Sequence, residues 1–167
     1  MSRPEEEEYP EFVASRAASL HRTAYLLCGD WHLASDLVQE TFVLTFRHWH
    51  RVQRADNQNA YVRRILVNEF NRHWQRYGGL PAHAETDRLA VAVPDISDEV
   101  VNRAELLRAL LTLPARQRAT VVLRYLEGMS ERETAAVMRC SEGTVKSQSA
   151  RALNTLSGCL KYKESPL

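Results

Sequence analysis

SERETAAVMRCSEGTVKSQSAR, residues 130–151, is the stretch of the chain that decides its fold. Ser130 and Glu133 have the spacing of a capping box, in which two residues satisfy each other's backbone N–H groups at a helix start. The box predicts a short helix over 131–138, and helical periodicity resumes from 144 to about 160, with Ser141 as the cap. Two helices joined by so short a turn predict a helix-turn-helix.

The second helix of this pair carries a polar face close to its start. The positions expected to be exposed are Lys146, Ser147, Gln148 and Arg151. Their charge and place in the helix are typical of a recognition helix that enters the major groove of DNA. A plain helical hairpin with a solvated face has the same pattern, so the pattern alone leaves both interpretations open. The core between the two helices is expected to contain Ala135, Val137, Val145 and Leu153.

Helical spacing of apolar residues also covers the part of the chain upstream of this motif. Helices are predicted over about 12–27, 33–49 and 59–77, and no stretch alternates convincingly with period two. In the second of these helices, one apolar row is expected to consist of Val38, Phe42, Phe46 and Trp49. Gly78, Gly79 and Pro81 end the third helix.

The remaining segments complete the predicted architecture. Helical periodicity returns from about Val100 to Pro114, and a further helix is predicted over 117–126. The sequence therefore predicts an all-α protein with two small helical domains, 9–78 and 99–162, joined by a flexible acidic linker over 79–98.

Charge is distributed unevenly, although the net charge is only +1. Residues 13–78 hold nine Arg against five acidic residues, and residues 106–167 hold ten Lys and Arg against five. Residues 85–105 hold six acidic residues against two basic ones. Two basic blocks separated by an acidic segment keep nucleic acid among the expected partners despite the small net charge.

Other classes of protein and site are not expected. No apolar run approaches the roughly 20 residues that span a bilayer, and the acidic N-terminus is unlike a signal peptide, so a cytoplasmic protein without membrane contact is expected. Cys28, Cys140 and Cys159 are far apart and are expected to be reduced and mostly buried. His48 and His50 lack the partners of a zinc site. Neither a metal, a cofactor nor a small-molecule substrate is expected.

Several motifs resemble a known family. GDWHLASDLVQETF (29–42) and AYVRRILVN (60–68) resemble region 2 of sigma factors. A second set of motifs resembles region 4 of the same family: LPARQR (113–118), YLEGMSERETAA (125–136) and CSEGTVKS (140–147). In order and spacing, the chain is similar to extracytoplasmic-function (group 4) sigma factors of the sigma-70 type, and among them to the short actinobacterial SigE type. The resemblance implies a non-enzymatic factor that directs core RNA polymerase to promoters.

For the first domain, the resemblance implies contacts with polymerase and with the −10 element. The helix beginning near residue 36 is expected to dock on the basic clamp helices of the largest polymerase subunit; the alternative is a solvated face. Its contact residues are expected to be Asp36, Gln39, Glu40 and Thr41. The −10 strand needs cations for phosphates and amides for base edges. The candidates are Gln53, Arg54, Asp56, Asn57, Asn59, Tyr61, Arg64, Asn68 and Arg72. Tyr61 and Trp74 have two open roles, stacking on bases or packing in the core.

For the second domain, the resemblance implies recognition of a duplex −35 element. The groove residues are expected to be Thr144, Lys146, Ser147, Gln148, Ala150 and Arg151. Gln148 stands where many relatives carry Arg, which leaves the exact −35 sequence open. Arg116, Arg118 and Arg124 are better suited to phosphates, which position a protein without specifying sequence. Leucines around 106–113 and Leu123 are implied to bind the flap-tip helix of the second-largest subunit, with a core role as the alternative.

The resemblance leaves the linker and regulation less defined. An acidic linker fits the RNA path of polymerase, and solubility explains the same charge. An anti-sigma factor is a further partner that the family allows.

Three other classes of protein fit the sequence less well. A stand-alone helix-turn-helix regulator leaves residues 30–76 unexplained, and an enzyme is disfavoured by the lack of a phosphate-binding loop or nucleophile motif. A helical adaptor without DNA binding is disfavoured by Lys146, Ser147 and Arg151.

Overall fold

The computed structural model describes residues 4–77 and 98–164, with side chains described over 6–77 and 103–159. The helices of the first domain are α1 (Pro4–Cys28), α2 (Trp31–Arg47), α3 (Trp49–Arg54) and α4 (Gln58–Tyr77). Those of the second domain are α5 (Asp98–Thr112), α6 (Ala115–Val121), a π-helical turn (Val122–Leu126), α7 (Glu131–Met138) and α8 (Glu142–Glu164). These ranges contain no β-strand, which confirms the all-α prediction. The predicted linker, apart from Asp98, lies outside the described residues.

In the first domain, α1, α2 and α4 pack around a shared apolar core. Leu20, Leu27, Val62, Leu66 and Phe70 are the large residues that are almost fully enclosed there. The sharp reversal between α1 and α2 uses Gly29, whose φ of +71° suits a residue without a Cβ. Asp30 then caps α2, because its carboxylate accepts the backbone N–H of Leu33 at 2.8 Å.

The predicted helix over 33–49 is interrupted at His48. The backbone there turns with φ −111° and ψ 23°, and α3 starts one residue later. This break directs Trp49 into the core, where its ring lies 4.9 Å from that of Phe12 and 5.0 Å from that of Tyr9. The prediction that Phe46 lies in the same buried row is wrong, because its side chain is 55% exposed.

In the second domain, the predicted capping box is confirmed. Ser130 Oγ accepts the N–H of Glu133 at 3.0 Å, and Glu133 Oε2 accepts the N–H of Ser130 at 2.8 Å. Helix α7 ends at Arg139, which is in the left-handed conformation with φ 53°. The predicted cap of the following helix is also confirmed, since Ser141 Oγ accepts the N–H of Thr144 at 3.1 Å. The chain thus forms the expected helix-turn-helix.

The core between α7 and α8 differs from the prediction at one residue. Ala135, Val137 and Val145 are buried as predicted, whereas Leu153 is 42% exposed. Ala152 and Leu156 are buried instead. Positions 145, 152 and 156 are spaced by seven and four residues and so share one helix face, from which Leu153 is rotated by about 100°.

The two domains also pack against each other, with α1 against α5 and α6, and α4 against α7. Gly29 lies close to α5, and a Cβ at that position would be 2.8 Å from Leu111 Cδ1. This contact brings the helix-turn-helix next to the helix that carries many of the first domain's candidate residues. None of the described helices is long and apolar enough to cross a membrane.

Candidate nucleic-acid and polymerase interfaces

The start of α8 presents an exposed polar face. Lys146, Ser147, Ala150 and Arg151 are exposed, and Thr144 and Gln148 are half-buried. Lys146 Nζ lies 3.7 Å from Glu131 Oε2, a loose ion pair whose partners are 66% and 36% exposed. Positions 146, 147, 150 and 151 share one helix face. The structure therefore brings together the residues predicted for the major groove, and solvent has access to them.

The three arginines predicted for phosphate contacts differ in environment. Arg116 is exposed, whereas Arg118 is only 1% exposed and Arg124 is half-buried. Arg118, which was predicted to contact a phosphate, is buried in this arrangement, and its guanidinium donates to backbone carbonyls. Arg124 donates from Nη1 to the carbonyl of Met129, which ties it to the turn before α7.

The guanidinium of Arg118 serves the ends of two helices. It donates to the carbonyls of Leu110 at 2.9 Å and Leu113 at 2.8 Å near the end of α5, and to Leu27 at 2.7 Å near the end of α1. Carbonyls in the last turn of a helix have no partner within the helix, and a cation there also suits the helix dipole. Burial lowers the pKa of Arg118 to about 10, so the group remains charged at neutral pH.

A basic cleft runs along α4. It has a volume of about 470 Å³, and the −10 candidates that line it are Tyr61, Arg64, Asn68 and Arg72. The cleft is also lined by His48, Arg51 and Arg139, which the sequence had not indicated as site residues. Arg72 pairs with Glu69 at 3.4 Å, although its side chain is 71% exposed. Arginines beside an amide and a phenol ring have the chemistry to hold a phosphate backbone and contact a base.

The loop candidates do not converge on this cleft. Gln53 Nε2 donates to Glu8 at 2.7 Å, and Asn59 Oδ1 accepts from Arg16 Nε at 3.0 Å. Asn57 Oδ1 accepts the N–H of Ala60 at 3.0 Å, and its Nδ2 donates to Glu133 at 3.1 Å. Arg54 and Asp56 are exposed. The structure thus separates the −10 candidates into a cleft group and a loop group that contacts α1, the start of α4 and the second domain.

Trp74 and Tyr61, for which both base stacking and core packing were open roles, differ in their surroundings. Trp74 is half-buried, 5.8 Å from the ring of Phe70, with the Arg118 guanidinium 5.4 Å from its own ring. These contacts place Trp74 at the edge of the core. Tyr61 is half-buried, packs on the core with one side and lines the cleft with the other.

Helix α2 presents the face predicted for polymerase. Asp36, Gln39 and Glu40 are exposed, but Thr41 is fully buried and donates to the carbonyl of Leu37 at 2.6 Å. Thr41, which was predicted as a contact residue, therefore lies in the core in this arrangement, because position 41 is rotated by about 140° around the helix from position 36. Further along α2, beyond Glu40, the side chains of Val43 and Phe46 are 46% and 55% exposed.

The leucines considered for the flap tip belong mainly to the core. Leu107, Leu110, Leu113 and Leu123 are at most 2% exposed, and Leu106 and Leu111 are half-buried. In this structure these leucines therefore have the alternative role, which is packing in the core. Within residues 4–77 and 98–164, no group of three or more His, Cys, Asp or Glu side chains is arranged to hold a metal ion.

Comparison with known proteins identifies relatives of both domains. Residues 12–79 match the model of sigma-70 region 2, and residues 103–156 match that of sigma-70 region 4. An RNA polymerase sigma-E factor of Streptomyces avermitilis is 35% identical over 159 residues, covering 94% of this chain and 87% of the relative. The sigma-E factor of Streptomyces antibioticus is 37% identical over 165 residues, covering 98% and 91%.

A solved structure is also similar over nearly the whole length. It is the sigma factor RpoE from Bartonella quintana, crystallised in complex with the anti-sigma factor NepR. The TM-score is 0.75 at 25% sequence identity, and the match covers 93% of this chain and 98% of that one. The match therefore extends over both domains.

Proposed function

We propose that this chain, which belongs to the extracytoplasmic-function branch of the sigma-70 family of RNA polymerase sigma factors, divides the reading of a promoter between its two domains. As a sigma factor it directs RNA polymerase to promoters and is a non-catalytic initiation factor. The observation that carries the division of labour is the exposed cationic start of α8, in the segment that matches region 4.

The second domain is proposed to read the −35 element as duplex DNA. Lys146 and Arg151 reach base edges from the major groove, with Ser147 and Ala150 close to them. A good bidentate pair between a basic side chain and guanine contributes about 1–3 kcal/mol of discrimination. Arg116, the exposed member of the three arginines, contacts a phosphate and fixes the register of the helix.

The first domain is proposed to hold the −10 element as a single strand in the cleft along α4. Arg64 and Arg72 neutralise phosphates, and Asn68 and Tyr61 contact bases. The loop residues Gln53, Arg54, Asp56, Asn57 and Asn59 act next to this cleft once their contacts within the chain are released. This assignment is supported by the convergence of cations, an amide and an aromatic ring in one cleft.

The proposed contact with core polymerase is the exposed face of α2. Asp36, Gln39 and Glu40 meet a basic surface, the clamp helices of the largest subunit, and their acidic and amide groups complement it. The flap tip of the second-largest subunit is proposed to bind the half-buried Leu106 and Leu111 at the border of the α5 core.

Further properties follow from the family. The domain limits are proposed as 9–78 and 99–162, with the segment 79–98 between them. The protein is proposed to act in the cytoplasm, where polymerase and promoters are, and to carry no enzymatic activity. An anti-sigma factor is proposed as a regulatory partner, because a sigma factor of the same fold is known in complex with one.

The proposal is tested by core-dependent transcription. The purified protein is mixed with core polymerase and fragmented genomic DNA from Streptomyces, and the transcripts are sequenced. Discrete start sites with a shared two-part upstream motif are expected. The double variants Lys146→Ala/Arg151→Ala and Asp36→Ala/Glu40→Ala should each lose these transcripts.

Control variants separate loss of the proposed contacts from loss of other exposed side chains. Asn154→Ala removes an exposed side chain further along α8, and Glu6→Ala/Glu7→Ala removes two exposed acidic groups from α1. Both should retain the transcripts. Salt-sensitive binding of the free protein to one DNA site, with no core-dependent transcript, would instead identify a stand-alone regulator.

A further inference from the structure

A polar pocket lies between α1 and α4. It has a volume of about 360 Å³, and its lining consists of Ser15, Arg16, Ser19, Leu20, Asn59 and Arg63. Ser15 and Ser19 are four residues apart on α1, and Asn59 and Arg63 are four apart on α4, so each pair lies on one face of its helix. Among the described residues, those that line the pocket include two guanidinium groups and no carboxylate. The pocket therefore has a net positive lining.

Arg16 is held in this pocket by neutral groups. Its Nε donates to Asn59 Oδ1 at 3.0 Å, and its Nη1 donates to Ser15 Oγ at 3.2 Å. Its guanidinium carbon also lies 4.0 Å from the centre of the Phe12 ring. Within the described ranges, no acidic side chain forms an ion pair with Arg16. The guanidinium is thus fixed in position while its positive charge is left without a paired carboxylate.

Arg63 supplies the second cation of the pocket. Its Nε and Nη2 donate to Glu127 Oε2 at 3.0 and 2.6 Å, and Nη2 also donates to Ser19 Oγ at 2.9 Å. Glu127 compensates one positive charge at this end of the pocket, and the other cation, Arg16, lies nearby. Burial, followed by the charge of Arg63, lowers the pKa of Arg16 below its usual value of 12.5. Two guanidinium groups that repel each other across a pocket favour an anion between them.

Several hydrogen-bond donors of the pocket have no acceptor among the described residues. These donors are Asn59 Nδ2, Arg63 Nη1 and the hydroxyl hydrogen of Ser19, whose oxygen accepts from Arg63. Arg16 donates through three of its five N–H groups, which leaves two for a ligand. The pocket therefore offers more donors than acceptors, and a negatively charged ligand rich in acceptor oxygens would satisfy them.

A terminal phosphate group matches this excess of donors. It carries close to two negative charges at neutral pH and has three oxygens that accept hydrogen bonds. The planar fork of an arginine binds such oxygens through parallel hydrogen bonds. A carboxylate brings one charge and two oxygens, so it would leave more of the donors without a partner. A phosphodiester of a nucleic-acid backbone also brings only one charge.

We propose that the pocket between α1 and α4 binds the terminal phosphate of a small molecule, such as a nucleoside monophosphate. Arg16, Ser19, Asn59 and Arg63 donate to the phosphate oxygens. Ser15, whose hydroxyl donates to the carbonyl of Phe12 at 2.9 Å, orients Arg16. The volume of about 360 Å³ is in the range of small-molecule sites and leaves room for part of the group that carries the phosphate.

This site goes beyond the proposed function and does not rest on it. Of the residues that line the pocket, only Asn59 is among those proposed to contact DNA. The cleft along α4 has a separate lining, which includes Arg64, Asn68 and Arg72. A ligand in the pocket is therefore bound by a different set of cations from those proposed to hold the −10 strand.

Calorimetric titration of the full chain tests the site, in a buffer without other multivalent anions. Inorganic phosphate and adenosine 5′-monophosphate are expected to bind, whereas adenosine, which has no phosphate, is not. Arg16→Ala removes charge-assisted hydrogen bonds and should weaken the binding of both about ten-fold. Arg22→Ala removes the same charge from an exposed position on the same helix and should leave binding unchanged. Absence of phosphate binding by the wild type, or equal losses in the two variants, would overturn the site.

A second variant tests the pocket with little change of shape. Asn59→Asp keeps the oxygen that accepts from Arg16 Nε, and an acidic residue in the first turn of α4 suits the helix dipole, so the fold should be retained. The variant replaces a donor by a negative charge and should weaken phosphate binding by at least ten-fold, roughly the loss expected for a charge-assisted hydrogen bond. Asn154→Asp makes the same change at an exposed position of α8 and should bind phosphate as the wild type does. Unchanged binding by Asn59→Asp would overturn the site.

The source of the phosphate is tested with a nucleic-acid strand. The probe is a fluorescent single strand of mixed sequence without a terminal phosphate, and its binding to the wild type and to Arg16→Ala is compared by anisotropy. The loss for the strand should be no larger than that caused by Arg22→Ala. A loss for the strand as large as that for adenosine 5′-monophosphate would overturn the small-molecule ligand and identify the backbone phosphodiester as the group that is bound.

Folding and function are controlled separately. Circular dichroism must show unchanged helix content for each variant, and where Arg16→Ala fails to fold, Asn59→Asp carries the phosphate test and Arg16→Lys, which keeps the charge but loses the fork, carries the strand test. Core-dependent transcription by the wild type does not depend on the phosphate titration. A failed phosphate site is therefore distinguishable from a failed assignment as a sigma factor.

Discussion

The start of α8 and the cleft along α4 are both proposed to meet promoter DNA, yet their surroundings differ. On α8, Lys146 and Arg151 are exposed to solvent, and the ion pair between Lys146 and Glu131 is long and exposed. Along α4, the cleft is lined partly by Arg139 of the other domain, and Asn57 beside it is hydrogen-bonded to Glu133. One face is open in the free chain, and the other is partly occupied by its own protein.

We relate the difference to the kind of DNA that each face is proposed to read. Duplex −35 DNA offers its base edges in the groove without any change in pairing, so an exposed and capped helix suffices. The −10 bases must first leave the stack, which costs a few kcal/mol. If the strand-binding face were open in the free protein, it would bind any single strand, because stacking and charge carry little sequence information.

The largest expected effect comes from Arg118, a buried residue of the second domain that also contacts the first. Arg118→Ala leaves the carbonyls of Leu27, Leu110 and Leu113 without their donor and should lower the free energy of unfolding by about 3 kcal/mol. Urea denaturation measures the change. Arg116→Ala is the matched control, since an exposed arginine should change stability by no more than about 0.5 kcal/mol. Equal losses in both variants would refute the structural role of Arg118.

A second prediction sharpens the contrast between the two faces. With a −35 duplex from the promoter found by transcription, Arg151→Ala should weaken binding by the free protein by about 2 kcal/mol. Arg64→Ala removes an equal charge from the covered cleft and should change this affinity by less than about 0.5 kcal/mol. Fluorescence anisotropy at fixed salt measures both. Comparable losses would mean that the α4 cleft also contacts the duplex.

A smaller effect is expected at the turn between α7 and α8. Arg139 has a φ of 53°, a conformation that glycine adopts without a steric penalty. Arg139→Gly should therefore raise the free energy of unfolding by up to about 1 kcal/mol. The same substitution removes a cation from the −10 cleft, so strand binding should fall although stability rises. Thermal melting and anisotropy together distinguish the two consequences.

The smallest effect concerns pH and the capping box. Hydrogen bonds from Ser130, backbone first and then side chain, and from Asn57 lower the pKa of Glu133 below its usual value of 4.5. A lowered pKa in the folded state gives stability that is present above the unfolded pKa and is lost as pH falls through the folded one. Wild type should melt slightly above Glu133→Gln at pH 7, and the difference should shrink as pH falls below 4.5 and through the lowered pKa of Glu133. A difference that does not shrink on acidification would contradict this cause.

Local sequence features predicted most of the secondary structure. The capping box, the Ser141 cap and the polar face of α8 depend on residues within four positions of each other, and all three are present as predicted. The errors lie where distant residues decide. The helix break at His48 accompanies the packing of Trp49 on Tyr9 and Phe12, whereas Phe46 is 55% exposed.

The residues of the candidate site, like the secondary structure, were predictable where local patterns decide their position. Motifs and periodicity indicated which helices carry the recognition residues, but they did not separate Thr41 and Arg118 from their exposed neighbours. Thr41 is buried because it lies on the inner side of α2. Arg118 is buried because the carbonyl ends of α5 and α1 converge on its guanidinium.

By itself, the sequence determined the helical class, the helix-turn-helix, the family and the residues with which α8 faces solvent, since these depend on spacing along one helix and on short motifs. Only the tertiary structure decided that Arg63 meets Glu127, that Arg118 joins two helix ends, and that Arg139 enters the cleft of the other domain. Arg63 and Glu127 are 64 residues apart along the chain, and Arg118 and Leu27 are 91 residues apart. Their contact arises from burial of apolar surface shared by both domains, which no local periodicity encodes.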